Sequence, residues 1–415
     1  MTTHPRSLDE LVASSVLSVV PSRYGTQGQR WLEELPDTVA RACDTLGVTV
    51  NERLAGGALS CVLHVSAADG RPAVLKLHPT KRTWAAEAAT LTAWRHTAAH
   101  LTAPTTAAHP TAGGVCPEVL GYDASTNAVL MEKLAPAVQL RHTRAPNAPG
   151  HHARAASPDS AETHCEARCE AGTEYGGESS AARARRIAEA DRDRLLPLVR
   201  VLHNTPAPNV EAPAATEISS SSDTGTENAA TPRPEQPFAE YFTITDATAH
   251  IERLVDRAAR SDAVRARLSI ADLDNAAARA AATLDDATCV WTHGDLIPNN
   301  VLSTPSGWAL IDPIPVAAPL AADLALLACT RHCASTDTDS ATVELIRATS
   351  AVYADLAAAS APSGDVDEAA GQSRSADQIN AWLPLIAADR LRVGLAYNWW
   401  HPATWDALAT LARTH

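Results

Sequence analysis

Polar residues in one stretch of the chain have the types and the spacing needed for phosphoryl transfer. His293, Asp295 and Asn300 lie in one loop, a predicted β-hairpin of two short apolar runs (300–302 and 308–311) follows, and Asp312 comes directly after it. An aspartate, an asparagine five residues later, a hairpin and a second aspartate are typical of a kinase catalytic centre. In such a centre the first aspartate accepts a proton from a substrate hydroxyl, and the other two residues hold magnesium on the nucleotide phosphates.

The hairpin gives this spacing a physical reason. It returns the chain, so that Asn300 and Asp312 are expected to converge on one volume of the size of a metal ion. Carboxylate and amide oxygens are the ligands that Mg²⁺ prefers. The sequence therefore predicts Asp295 as the catalytic residue and Asn300 and Asp312 as metal ligands. The alternative is a polar strand–turn–strand in which these residues are incidental.

Residues 293–302, H-G-D-L-I-P-N-N-V-L, and 308–313, W-A-L-I-D-P, carry a family resemblance. The pattern resembles the aminoglycoside phosphotransferase family, most closely its streptomycin/hydroxyurea-type antibiotic kinases. Ile297 and Asn299 depart from the His and Gly that are common in the family, and A-A-P-L at 317–320 replaces a more usual Gly-Asp-Pro. The resemblance implies an α+β, bilobal protein-kinase-like fold. Its small lobe has an antiparallel sheet plus a helix, its large lobe is mostly helical, and ATP with Mg²⁺ lies between them.

Other residues of the loop are expected to support it. The resemblance implies that His293 packs and fixes the loop, and proton transfer by His293 is the weaker alternative. Gly294 is expected to allow a backbone geometry that a side chain would obstruct. Asp323 is expected to cap the next helix and to hydrogen-bond back to this loop.

Upstream residues match the nucleotide side of the same template. Lys76 ends an apolar strand, and it is one of only three lysines in the sequence. A buried lysine needs a partner, and Glu87 on the predicted helix 83–98 supplies one, although a solvated glutamate is the alternative. Ser60 follows a Gly-Gly turn and is a candidate phosphate ligand. The run 129–134, V-L-M-E-K-L, resembles the hinge of the family, which implies adenine contacts from the main chain of Glu132 and Leu134.

Composition shifts suggest how the chain is divided. We expect an N-terminal helical segment over 1–47, with helices at 7–20 and 31–46 in a region interrupted by Pro21 and Pro36, and a nucleotide-binding small lobe over 48–134. A substrate-binding large lobe covers 135–415 and contains helices at 238–260, 262–283 and 381–400. Tracts rich in Pro, Ser, Gly and Glu predict flexible insertions at about 141–182, 206–237 and 360–375, because such tracts bury too little surface to offset their ordering entropy.

Charge and cysteine content exclude some classes of function. The net charge of −14 argues against a nucleic-acid partner and suits a small cationic substrate, although acidity also simply aids solubility. The 8 cysteines form no C-x-x-C pair and no zinc-site spacing. No run reaches the length of a membrane span, so we expect a cytoplasmic protein with no membrane partner. The sequence says nothing of the oligomeric state.

The leading hypothesis is an ATP- and Mg²⁺-dependent phosphotransferase acting on a hydroxyl of an aminoglycoside-like antibiotic, and so conferring resistance. A metabolic kinase acting on choline, a sugar or an amino alcohol is the first alternative. A catalytically silent nucleotide-binding regulator is the second, and the presence of Lys76, Asp295, Asn300 and Asp312 argues against it. Asp389 is a guess at a drug-binding carboxylate, and the resemblance implies a structural role for His203.

Overall fold

A computed structural model describes residues 7–54, 57, 59–101, 114–135, 137–140, 179–206, 245–305, 307–333, 339–361 and 368–414. Most of the predicted insertions at 141–182 and 206–237 lies outside these ranges. So do positions 55, 56 and 58 of the predicted Gly-Gly turn.

The small lobe is built on a five-stranded antiparallel sheet. Its strands are β1 (Val48–Arg53), β2 (Cys61–Ala67), β3 (Pro72–Leu77), β4 (Val119–Asp123) and β5 (Ala128–Glu132), in the order β1-β2-β3-β5-β4. Strand β1 pairs with β2, β2 with β3, and β4 with β5, and β3 pairs with β5 so that Lys76 lies opposite Val129. The antiparallel sheet expected for the small lobe is therefore present, and Lys76 lies near the end of a strand, as predicted.

Helices cover both faces of this sheet. Strand β5 shows this directly, because successive side chains of a strand point to opposite faces. Ala128 and Leu130 join the core formed with helix α1 (Ser14–Leu46), whereas Val129 and Met131 join the core that contains Trp84 of helix α2 (Lys81–Leu101). Burial on both sides explains why β5 is a continuous apolar run.

The N-terminal region contains two helical segments, as predicted, but they meet at a glycine and not at a proline. After a short 3₁₀ turn, the two segments of α1 join at Gly25, where φ is 58°, and Pro21 and Pro36 lie inside them. Glycine adopts this left-handed conformation without steric cost. The prolines do not end the helix because apolar side chains on both sides of the break, including Val20 and Leu35, pack in the same core.

The large lobe is mostly helical, as predicted. Its helices are α3 (Ser180–Asn204), α4 (Ala247–Ala259), α5 (Asp262–Arg265), α6 (Ile270–Ala281), α7 (Leu320–Arg331), α8 (Asp339–Ser360), α9 (Glu368–Tyr397) and α10 (Pro402–Ala412). Helix α9 packs against α4, α6, α7, α8 and α10 and so lies at the centre of this lobe. The predicted α+β, two-lobed fold class is thus confirmed.

Two small sheets hold the loop identified in the sequence. In one, β9 (Val301–Thr304) lies between β10 (Gly307–Leu310) and β6 (Val138–Gln139). In the other, β11 (Val316–Pro319) lies between β8 (Cys289–Thr292) and β7 (Thr245–Asp246). The β9–β10 hairpin is the one that the sequence predicts between the two metal-ligand candidates.

Some predicted boundaries in the large lobe are wrong. The predicted helix 262–283 is two helices, because Ser269 forms a capping box with Asp272 and starts a new helix. The third predicted loop, 360–375, is helical from Glu368 onward. Here the firmly packed turns around Trp382 extend toward the N-terminus through polar residues, since propagating a helix costs far less than starting one.

Within the described residues, no helix is both long enough and apolar enough to cross a membrane. The domain boundaries themselves stay a prediction.

Candidate active site

Strand β8 ends at Thr292 and is followed by the loop that begins with His293 and Gly294. Gly294 has a φ of +70°, and a Cβ placed there would lie 1.9 Å from the carbonyl oxygen of Ile314. No other residue type fits such a contact without moving the backbone. The prediction that this glycine permits an obstructed geometry agrees with both observations.

Asp323 of α7 holds the same turn through two hydrogen bonds. It accepts hydrogen bonds from the backbone N–H of His293 (2.6 Å) and of Gly294 (2.9 Å). Burial raises the pKa of this carboxyl to about 7, although the two hydrogen bonds oppose the rise. The predicted bond to the loop is present, but the predicted cap is not, since α7 starts at Leu320 and Pro319 occupies its N-cap.

His293 is buried and contacts the main chain at the end of the hairpin. Its Nε2 lies 2.9 Å from the carbonyl oxygen of Ile311, and its ring lies 5.5 Å from that of Trp94. Burial lowers its pKa to about 4, so the ring is neutral at pH 7. A neutral, enclosed imidazole bonded to the main chain fits the predicted role of fixing the loop.

Asp295 and Asn300 are directly bonded to each other. The Asn300 side-chain amide donates to the backbone oxygen of Asp295 (2.9 Å) and to its Oδ2 (3.1 Å). Burial raises the pKa of Asp295 to about 6, while Arg390 opposes and Asp312 adds to the rise. Asp295 is therefore a carboxylate at neutral pH with a basicity above that of an ordinary aspartate.

Asp312 follows β10 in a left-handed conformation, with a φ of 61°. The hairpin places it beside Asn300, because the N–H of Ile311 donates to the carbonyl oxygen of Asn300 (3.0 Å). A positive φ in a residue other than glycine costs free energy that the surrounding structure must supply. It is held here by the small lobe, since Asp312 Oδ1 accepts from Lys76 Nζ at 2.5 Å.

Lys76 joins residues that are far apart in the sequence. Its ammonium donates to Glu87 Oε1 (2.9 Å) as well as to Asp312, and His78 Nε2 lies 2.9 Å from Glu87 Oε2. Lys76 and Glu87 are 4% and 2% exposed, so the pair is buried. Burial alone would lower the pKa of Lys76, but Asp312 and Glu87 raise it above its ordinary value. The lysine is therefore charged, and the predicted Lys76–Glu87 pair is formed.

The contacts of the other residues predicted to bind the nucleotide say less about their roles. Ser60 is buried directly before β2. The backbone N–H of Glu132 donates to the carbonyl oxygen of Glu118 (2.8 Å). The Glu132 side chain lies 3.5 Å from Arg95 Nη1. Leu134 follows β5 on the segment that leads toward the large lobe.

The donor set at this place suits magnesium and a nucleotide. Asp312 has a side chain 43% exposed, and the Asn300 amide nitrogen faces Asp295, so its oxygen is the atom left for a cation. The described residues hold no cluster of three His, Cys, Asp or Glu side chains able to bind a metal alone. Mg²⁺ typically takes one or two protein ligands and completes its shell with phosphates and water. Asn300 and Asp312 fit that requirement, and Lys76 fits the phosphates.

Sequence reasoning missed the basic groups on the other side of Asp295. Arg390 Nη1 lies 3.9 Å from Asp295 Oδ1. Asp389 is held by Arg390 and by Arg392, whose Nη2 donates at 2.9 Å, so its pKa stays well below the ordinary range despite burial. Asp389 is therefore an anchor for arginines, and the guess that it binds a drug finds no support. The sequence run D-R-L-R at 389–392 is the signal from which the arginines around Asp389 could have been predicted.

His203 also has a structural contact. Its Nδ1 lies 2.8 Å from the Ser360 hydroxyl, and burial lowers its pKa.

No family model and no curated protein matches the sequence. Similar solved structures include an ethanolamine kinase from Plasmodium vivax, at 8% identity and a TM-score of 0.44, with 89% of this chain and 81% of that chain covered. A macrolide 2'-phosphotransferase from Brachybacterium faecium matches at 15% identity and a TM-score of 0.40, with 92% and 99% covered. An aminoglycoside phosphotransferase from Alicyclobacillus acidocaldarius matches at 13% identity and a TM-score of 0.39, with 90% and 92% covered.

The family that the catalytic stretch resembles is thus represented among the similar structures. These similarities are distant, so the fold of this chain is defined by its own sheet order and contacts.

Proposed function

We propose that the protein is a phosphotransferase that moves the γ-phosphate of ATP to a hydroxyl group of a small molecule. The observation that carries the proposal is the pair of bonds from Lys76 to Glu87 and to Asp312, a residue 236 positions away. Those bonds bring the small-lobe lysine to the loop that holds Asp295 and Asn300. This is the arrangement that kinases need in order to position a nucleotide against an acceptor.

Each residue has a distinct part in the proposed reaction. Asp295 orients the acceptor hydroxyl and takes its proton, which its raised pKa favours. Asn300 and Asp312 hold Mg²⁺, which when bound offsets the negative charge that builds up on the transferring phosphate. Lys76 binds nucleotide phosphates and is oriented by Glu87. His293 and Asp323 fix the backbone that carries Asp295.

The resemblance of the catalytic stretch favours an aminoglycoside-like antibiotic as the acceptor, with choline, a sugar or an amino alcohol as alternatives. The test is a coupled assay of ADP release with ATP and Mg²⁺. Its acceptor panel holds streptomycin, other aminoglycosides, basic peptide antibiotics, hydroxyurea, choline and simple sugars.

Asp295→Ala is the decisive variant. Loss of a positioned base is expected to lower kcat by about 10²- to 10⁴-fold while ATP still binds. Asp286→Ala, at an exposed aspartate nearby in sequence, is the matched control and keeps the wild-type rate. Acceptor-dependent ADP release that is equal in wild type and Asp295→Ala would refute the assigned role. ATP binding without turnover of any acceptor would favour the regulator instead.

A further inference from the structure

A cavity of about 450 Å³ lies among the helices of the large lobe, away from the candidate active site. Its walls come from α6, α8, α9 and α10, and it shares no residue with the site around Asp295. Along α9, the lining residue Asn380 precedes Arg390 by ten residues, which is about 15 Å of helix. A volume of about 300–1,000 Å³ is typical of pockets that bind small molecules, and this cavity lies within that range.

Short side chains leave this space open. Helices α8 and α9 pack against each other, and Ala351 of α8 and Ala376 of α9 both line the cavity. Leu383 of α9 and Leu411 of α10 are buried and give the cavity an apolar floor. Protein interiors contain few voids larger than a water molecule, so a space of this size with an apolar floor is suited to a ligand.

Two arginines stand at the wall with hydrogen-bond donors to spare. Arg279 Nη1 donates to the backbone oxygen of Thr414 (2.9 Å), and both residues line the cavity. This bond uses one of the five N–H groups of the guanidinium. Arg347 is exposed at the rim, and it forms no hydrogen bond or ion pair in the part of the chain that the structure describes. It lies on the same face of α8 as Ala351, four residues later.

No carboxylate offsets these two charges at the cavity. None of the described lining residues is an aspartate or a glutamate, although the sequence holds 48 acidic against 34 basic residues. Elsewhere in the large lobe, arginines at buried places are paired, Arg331 with Asp191 (2.9 Å) and Arg390 with Asp389. The wall of the cavity therefore carries a local positive charge that an anion would balance.

We propose that this cavity is a second ligand site and that it binds a small organic acid with an apolar body. Arg347 and Arg279 bind the carboxylate, since a guanidinium matches a carboxylate with two parallel hydrogen bonds. The apolar body packs on Leu383 and Leu411. The proposal is independent of the phosphotransferase function, because no lining residue has a part in that reaction.

Such a ligand connects helices that are distant in the sequence. Arg279 lies on α6 and Arg347 on α8, and the apolar floor belongs to α9 and α10. A ligand that contacts all four helices binds the folded protein and not the unfolded chain, so it raises Tm in proportion to its affinity and concentration. Thermal stability is therefore a readout of this site that needs no turnover.

The first experiment compares probes that share one apolar body and differ in charge. Phenylbutyrate, phenylbutanol and phenylbutylamine are titrated into the full-length protein by calorimetry without ATP, together with octanoate and naphthoate as further acids. We expect binding of at least one acid at one molecule per chain, and at least tenfold weaker binding of the alcohol and the amine. Absence of binding by all three acids, or equal affinity for the amine, would overturn the inference.

The second experiment removes one charge from the rim. Arg347→Gln is expected to raise the Kd of the bound acid by about 10- to 100-fold, as loss of one charge-assisted hydrogen bond does. Arg374→Gln is the matched control, because Arg374 is an exposed arginine of α9 that does not line the cavity, and it should bind the acid as wild type does. An unchanged Kd in Arg347→Gln, or an equal rise in Arg374→Gln, would contradict the assigned contact.

The third experiment fills the cavity and keeps both arginines. Ala351→Phe places a ring in the space, at an exposed position where it disturbs the core little, and Tm is measured with and without the acid. We expect the acid to raise Tm of wild type and of Asp295→Ala, and to leave Tm of Ala351→Phe unchanged. If the rise survives in Ala351→Phe but is lost in Asp295→Ala, the acid binds in the active site and the inference fails.

Discussion

Two buried ionic clusters lie near Asp295, and their charges are opposite in balance. On the small-lobe side, one ammonium, that of Lys76, is shared by the carboxylates of Glu87 and Asp312. On the large-lobe side, one carboxylate, that of Asp389, is shared by Arg390 and Arg392, with Arg257 close by. Asp312 and Arg390 both act on the pKa of Asp295, so the candidate base lies between the two clusters.

The difference indicates what each side is prepared to bind. An excess of carboxylate suits a divalent cation, and an excess of guanidinium suits an acid group. In each cluster a single group of the opposite charge, Lys76 or Asp389, holds the other charged groups in place. A protein that keeps such unbalanced charges buried forgoes stability that a ligand of the opposite sign restores.

The largest expected effect on stability follows from removing the charge of Lys76 or of Asp389. Lys76→Met leaves Glu87 buried without its cation, and Asp389→Asn leaves two guanidinium groups without their anion. Breaking a buried ion pair costs about 3–5 kcal/mol, and we expect each variant to lose that much free energy of unfolding in urea titrations. The double variant Lys76→Met/Glu87→Gln should recover part of the loss. If all three variants were as stable as wild type, these charges would be well solvated.

A smaller effect concerns the pH dependence of stability near the arginines of the large lobe. The pKa of His250 is about 4 in the folded protein against an ordinary 6.5, so below pH 6.5 the unfolded chain binds more protons. Stability is therefore lost as the pH falls from about 6.5 to about 4, by up to about 3 kcal/mol. His250→Asn should flatten this part of the stability–pH curve.

A nucleotide ligand should separate the two clusters. Mg²⁺ with ATP is expected to raise the free energy of unfolding through Asp312. A ligand at a hundred times its Kd contributes about 2.7 kcal/mol. Asp312→Asn should lose this increment, and Asp389→Asn should keep it. Loss of the increment in both variants would mean that the clusters form one site.

The smallest effect is predicted for an exposed pair on the same helix as His250. Arg260 is bonded to Asp256, and both side chains are more than half exposed. Such pairs contribute under about 1 kcal/mol. Arg260→Gln should therefore leave the midpoint of urea unfolding nearly unchanged, and a shift as large as that of Asp389→Asn would remove the distinction between buried and exposed charges.

The sequence predicts one cluster and not the other for a physical reason. Asp295 and Asn300 lie in the loop before one hairpin and Asp312 lies directly after it, so their convergence follows from local geometry. Lys76 and Glu87 are eleven residues apart on a strand and the next helix, and a buried lysine requires such a partner. The predicted roles of these residues stay predictions, but the structure does bring them together.

The cluster around Asp389 lies in one short run of the sequence, D-R-L-R at 389–392, but its nearness to Asp295 has no local signal. Only the packing of α9 against the rest of the large lobe, including α4 and α7, brings Arg390 to Asp295. Asp389 drew notice as a lone carboxylate, yet its arginine neighbours in sequence determine its role. The helix break at Gly25 was missed because the two prolines were the more obvious breakers.

Helix α1 has a mechanical consequence. It packs on the small-lobe sheet, yet near Gly25 it brings Arg23 and Tyr24 close to Arg257 and Tyr397 of the large lobe. The lobes are also joined beside the active site, where Lys76 bonds to Asp312, and further away, where the Trp291 indole N–H of β8 donates to the Thr90 hydroxyl of α2. Any widening of the cleft between the lobes must therefore break these bonds as well.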